Sequence, residues 1–220
     1  MERQKLQFLG MFVLSGMLLL AGSPVVQADP GPDVLLREVT DEVLAEIRKD
    51  PEQLKDVARV RALTERFILP HIDFQVAAQW VLGKYWRTAS GQQRMRFVEE
   101  FRQLLLNTYV RSISNYRENR ISIAPARGSP ASGRMEVDAE VEQPGGPPVH
   151  LGFRLHRPES DWLVYDISVE GISLVATHRS SFAKEIHDKG LDSLIDHLAS
   201  MNADTADDKR GAAAAATSAP

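Results

Sequence analysis

Along this chain of 220 residues the spacing of apolar positions changes twice. From about Asp33 to Tyr116 they recur every three or four residues, as on one face of a helix. From Arg120 to Val169 they alternate, as on one face of a strand, and after Ser173 the helical spacing returns. The first part divides into four helices. Leu36, Val39, Val43 and Ile47 predict one from about Asp33 to Lys49. Asp50-Pro51-Glu52-Gln53 supplies a cap, a first-turn proline and a glutamine able to reach back, which opens a second helix running to about Leu69 and stopped by Pro70. A short helix, Phe74 to Leu82, follows Asp73 and ends at Gly83. Ser90 and Gln93 have capping-box spacing and start the longest helix, to about Tyr116, with Val98, Phe101, Leu105, Tyr109, Ile113 and Tyr116 in one stripe.

In the middle, Met135, Val137, Ala139 and Val141 alternate with Glu136, Asp138, Glu140 and Glu142. Val149, Leu151, Phe153 and Leu155 alternate with His150, Gly152, Arg154 and His156, and Leu163, Tyr165, Ile167 and Val169 continue the pattern. With Arg120 to Ala124 these runs read as an antiparallel meander, apolar on one face. The other face sets an acidic strand beside a His/Arg strand, so cross-strand charge pairs account for its polar residues. Gly171 is the bend into a helix that starts near Ser173 and ends at Gly190. Leu191, Leu194, Ile195 and Leu198 close the domain on a last short helix. Helices, then strands, then helices is the order of an α+β domain.

Composition adds the compartment. Behind Arg3 and Lys5 lies a 14-residue apolar run, Phe8 to Ala21, too short to span a bilayer comfortably, and Val26-Gln27-Ala28 is a small-x-small cleavage pattern. Residues 1–28 therefore read as a secretory signal, 29–201 as one folded domain, and the small, polar run from Asn202 to Pro220 as a flexible tail. With no cysteine, an exported chain must be held by a hydrophobic core and not by disulfides. Net charge is −4, and −5 once Glu2, Arg3 and Lys5 are removed, which argues against nucleic acid as a partner.

Catalytic patterns are sparse. Gly171-Ile172-Ser173-Leu174-Val175 has only the first glycine of a nucleophile elbow. His187, Asp188, Asp192, Asp196 and His197 straddle the helix-breaking Gly190, so a solvated charged face is expected in place of a metal site. His150 and His156 flank Arg154, which makes a poor cation site, and His71 and Asp73 flank a helix start, where capping is the cheaper reading. His178 stands alone on an apolar helix face and is expected to be a core-edge residue with a satisfied hydrogen bond. No cofactor, no metal and no catalytic set is expected. What stands out is apolar surface: Leu104, Leu105 and Leu106 are wider than one buried stripe and can face two ways. A closed core and an internal cavity both fit that pattern.

Three stretches, taken together, resemble a known family. The stretch 73–116 carries Asp73-Phe74, Val81-Leu82-Gly83, Trp86-Arg87, Gln93-Arg94, Phe97-x-x-x-Phe101 and Thr108-Tyr109. The second carries Trp162-x-Val164-Tyr165-Asp166, Glu170-Gly171-x-Ser173-Leu174 and Arg179-Ser180-x-Phe182, and the third is GLDSLIDHL at 190–198. In this order they are similar to the MlaC, or toluene-tolerance, family of periplasmic phospholipid-binding proteins, across nearly all of 29–201. His178 departs from the aromatic residue, such as tyrosine, expected there.

The resemblance implies helices packed over a curved, antiparallel-rich sheet with an apolar cavity between them. It implies a monomeric, non-enzymatic carrier whose cargo is phospholipid. Its partners would be an inner-membrane ABC-transporter lipid-import complex and an outer-membrane lipoprotein–porin complex. On that reading Leu105, Tyr109 and Ile113 form one wall of the cavity. Val137, Ala139, Leu151, Phe153, Tyr165 and Ile167 form the other, with Val169, Leu174 and Val175 near the bend, although each would equally suit plain core packing. Arg179 meets either a headgroup phosphate or a neighbouring acid. Two other readings stay open: an adaptor with a filled core, and a hydrolase or isomerase with His178 facing a cavity beside a carboxylate.

Overall fold

The computed structural model describes residues 30–114, 120–143 and 145–217, with backbone alone for 111–114 and 206–217; the stretch expected to be a secretory signal and Tyr116 lie outside the described residues. Helix α1 (Pro32–Lys49) leads through a 3-10 turn (Pro51–Lys55) to α2 (Val57–Phe67). The cap of α2 is Asp56, whose carboxylate accepts from the amides of Ala58 (2.8 Å) and Arg59 (3.4 Å). The expected cap, Asp50, pairs instead with the Arg59 guanidinium at 2.6 Å, and Gln53 turns inward to donate to the Glu46 carbonyl at 2.8 Å. Proline in the first turn starts a 3-10 segment here, and the α-helix waits for the next acid. Helix α3 (Phe74–Leu82) is capped by Asp73 and ended by Gly83, as its sequence predicts. A one-turn helix α4 (Lys84–Thr88), too short to show periodicity, precedes α5 (Gly91–Ser114). The α5 capping box forms in both directions, Gln93 N–H to Ser90 Oγ at 3.1 Å and Ser90 N–H to Gln93 Oε1 at 2.9 Å.

Among the described residues six strands form one antiparallel sheet in the order β1 (Ile121–Ile123), β3 (Arg134–Gln143), β4 (Gly146–His156), β5 (Leu163–Val169), β6 (Ile172–Ser173). The short β2 (Arg127–Ser129) pairs with the other end of β3. Helices α6 (Leu174–Lys189) and α7 (Leu191–Thr217) complete the described chain. Helix α7 runs past Met201 into the alanine-rich segment, whose intrinsic helix propensity is the highest available.

Cross-strand partners share a face, so the register defines two surfaces. Met135, Val137, Ala139 and Val141 line up with Leu155, Phe153, Leu151 and Val149 on the inner face. On the outer face Arg154 reaches Glu136 (3.1 Å) and Asp166 (3.3 Å), Arg127 reaches Asp138 (2.7 Å), and His150 lies 3.4 Å from Glu140. The expected cross-strand charge pairs are present. One irregularity breaks the alternation: Leu155 pairs with Val164 but Arg154 with Asp166, leaving Tyr165 as a bulged extra residue.

Two buried clusters result. One is helical: Ala78 and Val81 of α3, Phe97, Phe101 and Leu104 of α5, Phe182 and Ile186 of α6, and Leu194, Ile195 and Leu198 of α7. The other joins Leu36 of α1 to Val137, Leu155, Trp162 and Val164 at one end of the inner face.

Carboxylates tie the helices to β5. Asp166, only 5% exposed, accepts from the Ser173 hydroxyl (2.7 Å) and the Val175 amide (3.1 Å), while Ser173 Oγ itself accepts from the Ala176 amide (3.0 Å). A buried strand acid thus sits at the positive end of α6. Asp73 does the same for α3, accepting from the Val76 amide (2.8 Å) and meeting His156 Nε2 at 2.9 Å, and its own amide donates to the Val164 carbonyl at 2.8 Å. Replacing Asp166 by Ala removes the cap and orphans buried donors. It should cost about 2–3 kcal/mol in urea unfolding. Ser173→Ala should cost less, and the double variant less than the sum of the two; additive effects would show that the pair does not act as a unit.

Candidate functional site

The two clusters do not merge. Helix α5 packs on α2, α3 and α7, and the helices resting on the sheet are α1, α3 and α6, the latter two against β5. The inner face is therefore sealed at the α1 end and less covered elsewhere. Val137 and Ala139 are buried, whereas Leu151, Phe153 and Ile167 are half-buried and Val169 is exposed. On α5, Leu105 and Tyr109 are half-buried, while their neighbours Leu104, Leu106 and Val110 are buried. The three consecutive leucines do divide between directions, with Leu105 packed only at the margin of the helical cluster. Burial holds the Tyr109 phenol above its ordinary pKa. The side chain of Ile113 lies outside those described.

Other candidates lie elsewhere. The bulge turns Tyr165 to the outer side, where it stacks on Trp80 (6.2 Å) and meets the His156 ring edge-on (5.7 Å), apart from its expected neighbours Ile167 and Val137. Single-sequence alternation carries no sign of such an extra residue. Leu174 and Val175 form the first turn of α6, both half-buried, and Val175 packs on the helical cluster. The Arg179 guanidinium lies over Gly83: a Cβ there would come within 3.1–3.3 Å of it. Gly83, with φ +52°, also has a backbone suited to glycine.

His178 differs from expectation. Its Nε2 is buried with no hydrogen-bond partner among the described residues, and the ring sits against Phe101 (5.5 Å, edge-on) and Phe182 (5.4 Å). The two rings flank it, among the described residues no carboxylate is bonded to it, and burial lowers its pKa. The acids and histidines near Gly190 are engaged elsewhere: Asp188 with Lys184 (3.3 Å), Asp192 with Gln93 (2.9 Å), Asp196 with Arg96 (2.8 Å), His197 with Glu185 (3.0 Å). Among the described residues no group of three or more potential ligands could hold a metal, and no helix is long and apolar enough to cross a membrane. A groove of about 520 Å³ runs across the sheet with a mixed lining, polar at Asp138, Glu140, His150 and Ser168 and apolar at Ile123, Ala139 and Leu151.

Reading by residue type alone passes over Ile123 and Ile172. Both extend the inner apolar face, and the signal for Ile172 is register: the two-residue turn Glu170-Gly171 places it opposite Val169.

The model of the MlaC protein family matches residues 37–200. The chain belongs to the MlaC family. The intermembrane phospholipid transport system binding protein MlaC of Haemophilus influenzae is 24% identical over 188 residues, covering 84% of this chain and 86% of that protein. The toluene tolerance protein ttg2D of Pseudomonas putida is 27% identical over 186 residues, 82% and 86% respectively. A solved structure of a phospholipid-binding protein from Ralstonia solanacearum, in complex with a phospholipid, superposes with a TM-score of 0.73 at 28% identity. The match covers 80% of this chain and 99% of that one. The family assignment read from the three motif stretches is borne out, as are the helices and the open antiparallel sheet.

The unpartnered His178 gives this MlaC-family protein a specific pH response. The native state resists protonating it, whereas the unfolded chain takes up the proton below about pH 6.5, so stability falls as pH drops through that value. His178→Phe should raise the urea midpoint at pH 5.5 more than at pH 7.5. An equal change at both would refute a neutral buried imidazole.

Proposed function

We propose that this protein is an exported phospholipid carrier, holding acyl chains between the helical layer and the inner face of the sheet. The observation that carries the proposal is the separation of the two buried clusters, with half-buried apolar residues on α5 (Leu105, Tyr109) and on the sheet (Leu151, Phe153, Ile167). The phospholipid bound to the Ralstonia relative supports the same reading.

The physical need is plain. Each CH₂ withdrawn from a membrane costs about 0.8 kcal/mol, so one exposed acyl chain costs roughly 10 kcal/mol or more. A carrier must replace that burial almost completely, yet release its cargo, which favours smooth apolar walls over fixed polar hooks. Val137, Ala139, Leu151, Phe153 and Ile167 line one wall, Leu105 and Tyr109 the other, with Val169, Leu174 and Val175 near the hairpin. Tyr165 and Arg179 stand outside this set: the one braces Trp80 on the outer side, the other packs on Gly83. The protein works as a monomer without catalysis or cofactor. It is exported after cleavage behind Ala28 and ferries lipid between an outer-membrane lipoprotein–porin complex and an inner-membrane ABC-transporter complex.

Protein purified from periplasm, extracted with organic solvent and analysed by mass spectrometry should yield stoichiometric phospholipid. Tyr109→Glu should keep a cooperative melt but lose at least about tenfold in lipid content, since an ionised carboxylate against hydrocarbon exceeds the ~1.4 kcal/mol that a decade represents. A folded, lipid-free wild type that also fails to load from vesicles would favour the filled-core adaptor. A Tyr109→Glu variant that unfolds would mean the side chain is closed core.

A further inference from the structure

One row of residues crosses the whole sheet on its inner face. Register pairs Ile123 with Ala139, Ala139 with Leu151, Leu151 with Val169, and Val169 with Ile172. All five are apolar, and exposure rises along the row from 4% at Ala139 to 36% at Val169 and 66% at Ile172. Four strand spacings of about 4.8 Å make a track roughly 19 Å long, somewhat more than half of a ~30 Å bilayer hydrocarbon core. The row is thus an apolar path from the buried interior to the edge of the sheet.

The outer end of this path is fixed at a conformational cost. Glu170 and Gly171 both have positive φ (50° and 77°), the pattern of a tight two-residue hairpin, in which glutamate is a costly choice. The turn is pinned from the polar side: the Glu170 amide donates to the His150 carbonyl at 2.9 Å, and its carboxylate accepts from the His150 amide at 2.7 Å. Ser173 then caps α6, so β6 is only two residues long. These constraints hold Ile172 opposite Val169, apolar side outward, at a place where a polar residue would be less costly to expose.

Building on the carrier reading, we infer that the β5–β6 hairpin is the portal through which acyl chains enter and leave, with Ile172 as its outermost contact. An apolar step there lowers the barrier for a chain passing from a membrane or a delivering protein to the inner face. A charge at the same step raises the barrier without altering the cavity behind it.

The test measures transfer rate and occupancy separately. Vesicles of phosphatidylethanolamine and phosphatidylglycerol carry a trace of pyrene-labelled phosphatidylglycerol, and loading and release are followed by stopped-flow fluorescence. Ile172→Glu should slow both rates at least about tenfold while final occupancy changes less than about twofold; Ile172→Leu should behave as wild type. Met95→Glu, at a 70%-exposed position on α5, should leave the rates unchanged and so controls for surface charge. If Ile172→Glu fails to fold, Ile172→Cys labelled after folding with a polar maleimide serves instead, the chain having no other cysteine. Wild-type rates in the charged variant would overturn the portal alone. Occupancy falling in step with rate would make Ile172 part of the cavity wall and also overturn it. A wild type that takes up no pyrene lipid would overturn the carrier reading and the portal together.

Discussion

The arrangement depends on two strand-to-helix anchors at β5. Asp166, a buried acid within the strand, caps α6 through Val175 and Ser173. Asp73, bonded to His156 and to the Val164 backbone, caps α3. Both helices are thereby fixed at the same strand near the sheet margin. Helix α5 packs mainly on α2, α3 and α7, not on the sheet. One hydrophobic core would be the cheaper product of collapse. The buried residues instead fall into two clusters, and part of the apolar inner face is left only half-buried.

The same anchors explain the family's motif residues in physical terms. The aspartate of Trp-x-Val-Tyr-Asp and the serine of Glu-Gly-x-Ser-Leu are bonded to each other, so two motifs eight residues apart are one structural device. The glycine of Val-Leu-Gly adopts a left-handed backbone and leaves room for the arginine of Arg-Ser-x-Phe, whose phenylalanine completes the ring cluster with Phe97 and Phe101. These residues set how the helical layer sits against the sheet.

The long elements were legible in the sequence because their signals are local. Apolar periodicity located α1, α3, α5 and the three long strands, and Ser90 with Gln93 identified the start of α5 by a contact made within one turn. What escaped was decided by non-local geometry. Asp50 and Asp56 both suit a helix cap, and the choice of Asp56 goes with the 3-10 turn between them. Tyr165 and Ile167 look equivalent in the alternation until the bulge opposite Arg154 separates them. A histidine on an apolar helix face ordinarily keeps a hydrogen bond, but the rings against His178 are phenylalanines, which offer none of ordinary strength. Ile172 sits too close to a helix start to register as a strand residue, although pairing arithmetic across the turn places it.

The most direct test of a divided core is a crystal structure of the protein isolated from periplasm without delipidation. Continuous acyl density in contact with Leu105 and Tyr109 on one side and with Leu151, Phe153 and Ile167 on the other is the result this account predicts. Direct side-chain packing between α5 and the inner sheet face, with no density between them, would contradict it.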